Sequence, residues 1–542
     1  MNSVSIVLIL LLAVVMSGAI ARMLPLAIPR PLVQIAIGAA IGISGTFRAT
    51  LEPEIFFLLF LPPLLFLDGW RIPREELLKD RTTILALALG LVLFTVLGIG
   101  LFIHWLIPAM PIAVAFALAA VISPTDPIAV SAIAQRVPIP RRMMHILEGE
   151  SLLNDASGLV CLRFAVAAAL TGTFSLYDAA LSFLWMAIGG ILIGGSVTWV
   201  VTRTKEAISR RYGEDGGSQI LISLLIPFGA YLLAEAFHCS GILAAVAAGI
   251  TMGFAETSGP VLAVTRIRRN TVWDMIQFAA NGIIFVLLGE QLPEILAGAA
   301  DTVRVTGHHT PWWLLGYVVA ITLGLAALRF AWVWVAFRMT LFRQGQATAT
   351  PSVRTVSAMT FAGVRGAITL AGVLTLPLAT ADGSAFPARD LAIFLAMGVI
   401  ILSLVAGSIG LPMLLHGLQM PVDISVKADD DRARVAAAEA AIAEIERVQH
   451  SMAEGRKDAD LYVAAAGRIM DEYRDRIESR SQDAETSTLA RRTDKIEREM
   501  RLAALRAERT EILRKVRARK LGSETARKII RELDHLEARY AG

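Results

Sequence analysis

The sequence predicts an all-α polytopic membrane protein, with about 13 transmembrane helices followed by a charged helical tail. Three observations predict it. Of 542 residues, 55% are hydrophobic and only 18% charged, with a mean hydropathy of +0.60, values that exclude an ordinary soluble or disordered chain. Charge is also segregated: residues 421–542 hold 26 Lys+Arg and 25 Asp+Glu, whereas residues 1–420 hold 25 and 22. Finally, the basic residues of the apolar part fall in alternate loops. The chain therefore divides into a transmembrane domain, 1–420, and a cytoplasmic helical domain, 421–542. The net charge of +4 is a small difference between near-equal totals, so the basic pI does not indicate a nucleic-acid partner. Cys161 and Cys239 offer neither a disulfide framework nor a metal-binding spacing.

Apolar windows long enough for a bilayer core of about 30 Å run over 4–21, 31–46, 54–70, 82–107, 111–135, 143–170, 178–202, 218–238, 239–255, 271–290, 311–337, 353–377 and 390–417. The first resembles a signal peptide at Ser17-Gly18-Ala19, but no Lys or Arg precedes it, so it reads as the first helix. Loops assigned to the cytoplasm carry nineteen basic residues, from Arg22 and Arg30 through Arg71, Arg74, Lys79 and Arg81 to Arg338, Arg343 and Arg354. Loops assigned outside carry three, Arg48, Arg304 and Arg389. This asymmetry places the N-terminus outside and the tail in the cytoplasm. Three arginines remain inside predicted helices: Arg163, Arg329 and Arg365.

Ionisable groups inside a bilayer are costly unless paired or hydrated, and they mark function. The acids in this position are Asp68, Asp126, Glu148, Glu150, Asp155 and Glu235. Asp126 lies mid-span in Ser123-Pro124-Thr125-Asp126-Pro127, where two prolines remove N–H donors and free the carbonyls of Ala120 and Ser123. A broken helix at this depth suits cation binding; the plainer reading is a proline kink capped by Asp126. In the sixth span, Glu148, Ser151 and Asp155 fall within about 60° on one face, and Glu150 and Asn154 share another. Ser151 and Asp155, with Asp126 or a carbonyl of the broken helix, form an oxygen-only ligand set suited to Na⁺, K⁺ or Li⁺. Glu148, about two turns from the cytoplasmic end, reads as an entrance carboxylate. Asp68 follows the proline-broken Leu61-Pro62-Pro63 and is either a cytoplasmic funnel residue or a local cap. Glu150 needs a cation, either Arg329 or Arg365. Arg163 sits nearer the outer end of its helix and reads as snorkelling to the interface; Glu235 has no partner the sequence identifies.

In order and spacing, Leu61-Pro62-Pro63 with Asp68, Ser123-Pro124-Thr125-Asp126-Pro127, Gly149-Glu150-Ser151-Leu152-Leu153-Asn154-Asp155 and Gly363-Val364-Arg365-Gly366-Ala367 resemble the monovalent cation:proton antiporter-1 family, the sodium/proton exchangers that include bacterial NhaP-type proteins. The resemblance covers about residues 1–420. It implies thirteen helices in two inverted halves, a dimerising portion and a mobile core, with the fifth and twelfth helices unwound and crossing. It also implies that Asp155 is the shared ion and proton carrier, with Asp126, Ser151 and the Thr125 carbonyl completing the site, and that Glu150 pairs with Arg329, Arg365 being the alternative. Asn154 stands where electrogenic relatives carry a second aspartate, so one cation should exchange for one proton. Further expectations are a homodimer in the bacterial cytoplasmic membrane and no cofactor beyond the transported ions. An intramembrane aspartyl protease is excluded by the lack of Gly-x-Gly-Asp at either aspartate. A cation channel with the same ligands but no proton coupling is an alternative that electrical conductance distinguishes, and an organic-anion symporter conflicts with the acid-rich centre.

The tail reads as amphipathic helix, with a break at Gly522-Ser523 and a last helix through Leu536. It is a solvated bundle or a regulatory element, and it carries no nucleotide or Ca²⁺ signature.

Overall fold

The computed structural model describes residues 3–23, 28–44, 53–72, 86–126, 130, 139, 141–171, 176–213, 215–258, 263–305, 312–343, 352–380, 384–416, 424–454, 459–481, 484–518 and 520–541. Pro127 and the loop residues Arg48, Arg74, Lys79, Arg81 and Arg136 lie outside them. The chain forms two compact units, Met1–Leu418 and Gln419–Gly542. Both are all-α; among the described residues the sole β feature is one bridge, Ala379 to Ala385.

Helices in the first unit are α1 (Ser3–Met23), α2 (Arg30–Ile43), α3 (Pro53–Arg71), a π-turn (Ala86–Gly90) leading into α4 (Leu91–Leu106), α5 (Ile112–Ile122), α6 (Arg141–Thr171), α7 (Leu176–Tyr212), α8 (Gly216–Ala236), α9 (Gly241–Ser258), α10 (Ala263–Val305), α11 (Trp312–Arg343), α12 (Val353–Phe361), α13 (Ala367–Leu374) and α14 (Arg389–Leu415). A helix falls in each predicted window. Among the described residues eight helices are long and apolar enough to cross a membrane, and Arg30–Ile43, Ile112–Ile122 and Gly241–Glu256 are shorter apolar helices. Two run well past their windows. The basic end of α7 and the Arg266–Arg269 start of α10 keep helical hydrogen bonding beyond the apolar stretch, since good helix formers propagate at little cost.

Prolines act differently at two places. Pro62 and Pro63 lie inside α3 without interrupting it, correcting the expected break. Here α3 is packed closely along α9: a Cβ on Gly249 would overlap the Phe66 carbonyl and one on Gly69 would reach 2.6 Å from the Val246 carbonyl. By contrast α5 stops at Ile122, before Ser123 and Pro124, and the twelfth segment breaks between Phe361 and Ala367. These two interruptions meet at the centre of the unit.

The tail contains α15 (Ile424–Ala453), α16 (Ala459–Ser481), α17 (Ala484–Arg517) and α18 (Ser523–Ala541). The Gly522-Ser523 break is where the sequence predicts it, and the last helix continues beyond Leu536. Arg509 on α17 pairs with Asp534 and Glu537 on α18.

Candidate functional site at the helix crossing

The peptide groups left over by the two broken helices satisfy one another. The Asp126 N–H donates to the Val364 carbonyl at 2.7 Å, so backbone stitches one interruption to the other. Arg365 adds a cationic clasp. Its Nε donates to the Ile122 carbonyl at 3.0 Å, at the C-terminal end of α5, and its Nη1 to the Gly363 carbonyl. Its own N–H donates to Ser403 Oγ of α14 at 3.1 Å. A guanidinium at a helix C-terminus complements the negative end of the dipole and fills the acceptor that a broken helix leaves open.

Beside this clasp runs a second polar chain, from α6 to α11. Glu150 accepts from Arg329 at both oxygens, at 2.5 and 2.9 Å, and the two side chains are 0% and 2% exposed. This bidentate geometry is the strong form of the pair. Thr125 Oγ1 donates to Glu150 Oε1 at 3.2 Å, and Asn154 Nδ2 donates to Thr125 Oγ1 at 3.1 Å. Arg329 Nε donates to the Met359 carbonyl at 3.1 Å, near the end of α12. Gly363 makes room for it, since a Cβ there would come within 2.6 Å of Arg329 Nε. The structure thus pairs Glu150 with Arg329, and Arg365 serves backbone carbonyls instead.

On the other face of α6, Ser151 and Asp155 lie one turn apart, and both are buried. Asp155 opens on a small polar cleft together with Ser151, Thr125, Asp126 and Asp68. Asp126 and Asp68 both interact electrostatically with Asp155. Gly366 closes one wall, and a Cβ at this position would overlap the Asp126 carboxylate. Gly158 lets α6 approach the break, because a Cβ there would sit 2.5 Å from the Pro124 ring and 2.9 Å from the Ala120 carbonyl. Carboxylates converging in a poorly hydrated space repel, and a cation or proton held among them relieves the repulsion. The arrangement is therefore chemically able to hold one small cation or a proton.

Asp68 lines this same cleft. Glu148 is half-buried and close to His145. The structure adds a pairing that the sequence does not identify. Arg163 donates to Glu235 at 2.9 Å, joining α6 to α8. Glu235 accordingly has a partner, and it also accepts from the Gly241 N–H at 3.3 Å. Asn281 and Thr369 line the cleft as well; both are neutral, so the charge pattern of the spans does not single them out. A buried amide inside the apolar run of the tenth span was the available signal.

The family model described as "Sodium/hydrogen exchanger, transmembrane" matches residues 7–417. The chain is 42% identical over 542 residues to an uncharacterized Na(+)/H(+) exchanger, YjcE, of Escherichia coli, covering 98% of each chain. It is 37% identical over 539 residues to a sodium, potassium, lithium and rubidium/H(+) antiporter of Bacillus subtilis, covering 99% of this chain and 78% of the relative. Among solved structures it is similar to the sodium proton antiporter MjNhaP1 of Methanocaldococcus jannaschii, with a TM-score of 0.59 and 21% identity over 77% of this chain and 99% of that one, a likeness in fold.

Proposed function

This chain belongs to the transmembrane sodium/hydrogen exchanger family, and from that premise we propose that Asp155 is the single carrier of both cation and proton, Na⁺ being the preferred cation. The carrying observation is the convergence of Asp155, Ser151, Asp126 and Thr125 on one cleft where two broken helices meet. Asp155 takes a cation or a proton but not both. The loaded site is neutralised and crosses between inward-open and outward-open states, whereas the empty, charged site does not. Competition at one carboxylate is then sufficient for exchange.

Asn154 bears on stoichiometry. Its amide donates to Thr125 and cannot titrate, so one cation moves against one proton and no net charge crosses. Glu150 is held by Arg329 and takes no part in the proton cycle. A reading in which K⁺ is preferred rests on the Bacillus subtilis relative, whose name includes potassium, lithium and rubidium. The same oxygens accommodate each of these ions, and small differences in spacing decide among them. The transmembrane unit sits in the bacterial cytoplasmic membrane as a homodimer, with the first helix starting outside and residues 421–542 in the cytoplasm.

In proteoliposomes with an imposed proton gradient, Na⁺ added to the wild-type protein collapses the gradient, read by dequenching of a pH-sensitive dye. Asp155→Asn abolishes this response. Undiminished exchange by that variant would remove the model, and a dependence of the wild type on membrane potential would reject one-for-one exchange.

A further inference from the structure

α10 is fixed to α2 through glycines. A Cβ on Gly289 would overlap the Ile35 carbonyl, and one on Gly38 would overlap the Val286 carbonyl, so the two backbones are in direct contact. Two turns before Gly289, the same helix turns an amide toward the cleft: Asn281 lines it with Asp68, Asp126, Ser151 and Asp155. Asn281 is only 8% exposed, and its Oδ1 is buried with no hydrogen-bond partner among the described residues. A buried amide oxygen without a partner is destabilising, and such a group calls for an account. Packing supplies none, because an apolar side chain would fill the same space without that cost.

We propose that Asn281 is a further ligand of the transported cation, supplying a neutral amide oxygen from the α2–α10 pair to a site whose charged oxygens come from α3, the break after α5, and α6. This assignment rests on the exchange reading above. An amide presents either its oxygen or its nitrogen after a half-turn of its terminal torsion. It can therefore face a bound cation with oxygen and a protonated carboxyl with either atom. A neutral oxygen adds coordination without altering the charge balance of the one-for-one cycle. Because α10 packs mainly along α2, Asn281 contacts the ion when the cleft has the shape seen here and loses it when the cleft opens the other way.

The test uses the full chain in proteoliposomes and in detergent. Asn281→Ala is expected to raise the half-saturating Na⁺ concentration about tenfold, the effect of one lost oxygen contact, and to change the ratio of the Na⁺ and Li⁺ values. Asn281→Ser, which keeps an oxygen, falls between the two. In detergent, the rise in melting temperature on replacing choline with Na⁺ shrinks in Asn281→Ala. If that variant is poorly folded, the same comparison is made between Asn281→Ser and the wild type. An unchanged half-saturating concentration, ion ratio and Na⁺-induced stabilisation would overturn the assignment. Asp155→Asn is run in parallel: if it abolishes exchange while the Asn281 variants match the wild type, only the Asn281 ligand falls. If Asp155→Asn exchanges normally, the exchange model itself falls.

Discussion

Where α2 meets α10, contact is backbone against backbone through Gly38, Gly42 and Gly289; where α5 and α6 meet α11 and α12, it runs through a buried chain from Asn154 by Thr125, Glu150 and Arg329 to the Met359 carbonyl. The first seam has close, short-range packing that cannot slide without clashes. The second has directional bonds with definite partners, and around it the helices are broken and their peptide groups exchanged. The contrast suggests a division of labour: a glycine seam makes one rigid body, and a polar chain keeps the broken helices in register beside a site that must change its contents. Both seams hold helices together; the polar chain borders the cleft through Thr125, and the glycine-seam helix α10 reaches it through Asn281.

Substitutions can break this contrast at either seam. The largest effect is expected from Arg329→Ala, which leaves Glu150 charged and buried without its cation. Removing one partner of a buried pair costs about 3–5 kcal/mol, so the variant should melt at much lower temperature in detergent or fail to accumulate in membranes. The double variant Glu150→Gln with Arg329→Met removes both charges and should recover most of the stability. If it does not, the pair does more than neutralise itself. Next comes the glycine seam: Gly289→Val forces a side chain into the Ile35 carbonyl, and overpacking of this kind costs about 1–3 kcal/mol. Its melting temperature should fall while the half-saturating Na⁺ concentration of the surviving protein stays near wild type. A large change in ion affinity instead would show that the two seams are not separate.

Arg163→Ala should do less. Its pair with Glu235 is 44% and 34% exposed, and pairs of that kind contribute about 0–1 kcal/mol; neither melting temperature nor transport should change much. The smallest effect concerns the tail. Hydrogen bonds from Arg447 and Arg514 hold the Glu444 and Glu511 carboxyls below their ordinary values. A depressed carboxylate contributes stability above its unfolded value and loses it as pH falls through the folded value. Hydrogen exchange of residues 424–517 in the full chain should therefore be steady near neutrality and speed up slightly only in acid, with salt weakening even that change.

Much of the site was legible because helical period and proline chemistry act locally. The division of α6 into a Ser151–Asp155 face and a Glu150–Asn154 face follows from spacing alone, and the break at Pro124 follows from its missing N–H. Pairings were not legible in the same way. Arg329 and Arg365 are equivalent as cations in the sequence; what separates them is that Arg365 lies within the second break, with the Ile122 and Gly363 carbonyls in reach. Glu235 likewise finds Arg163 across two helices. Asn281 escaped because a neutral amide in an apolar span carries no charge signal. The prolines of α3 misled, since a proline's effect depends on what packs around it, as the close contact with α9 illustrates.

Competition between Na⁺ and a proton at Asp155 is read from the half-saturating Na⁺ concentration of wild-type exchange across a pH series. On the acid side this concentration should rise about tenfold for each unit fall in pH while the maximal rate reached at saturating Na⁺ changes little, as one proton displaces one cation at one site. A half-saturating concentration that stays constant across that range, with only the maximal rate changing, would contradict it.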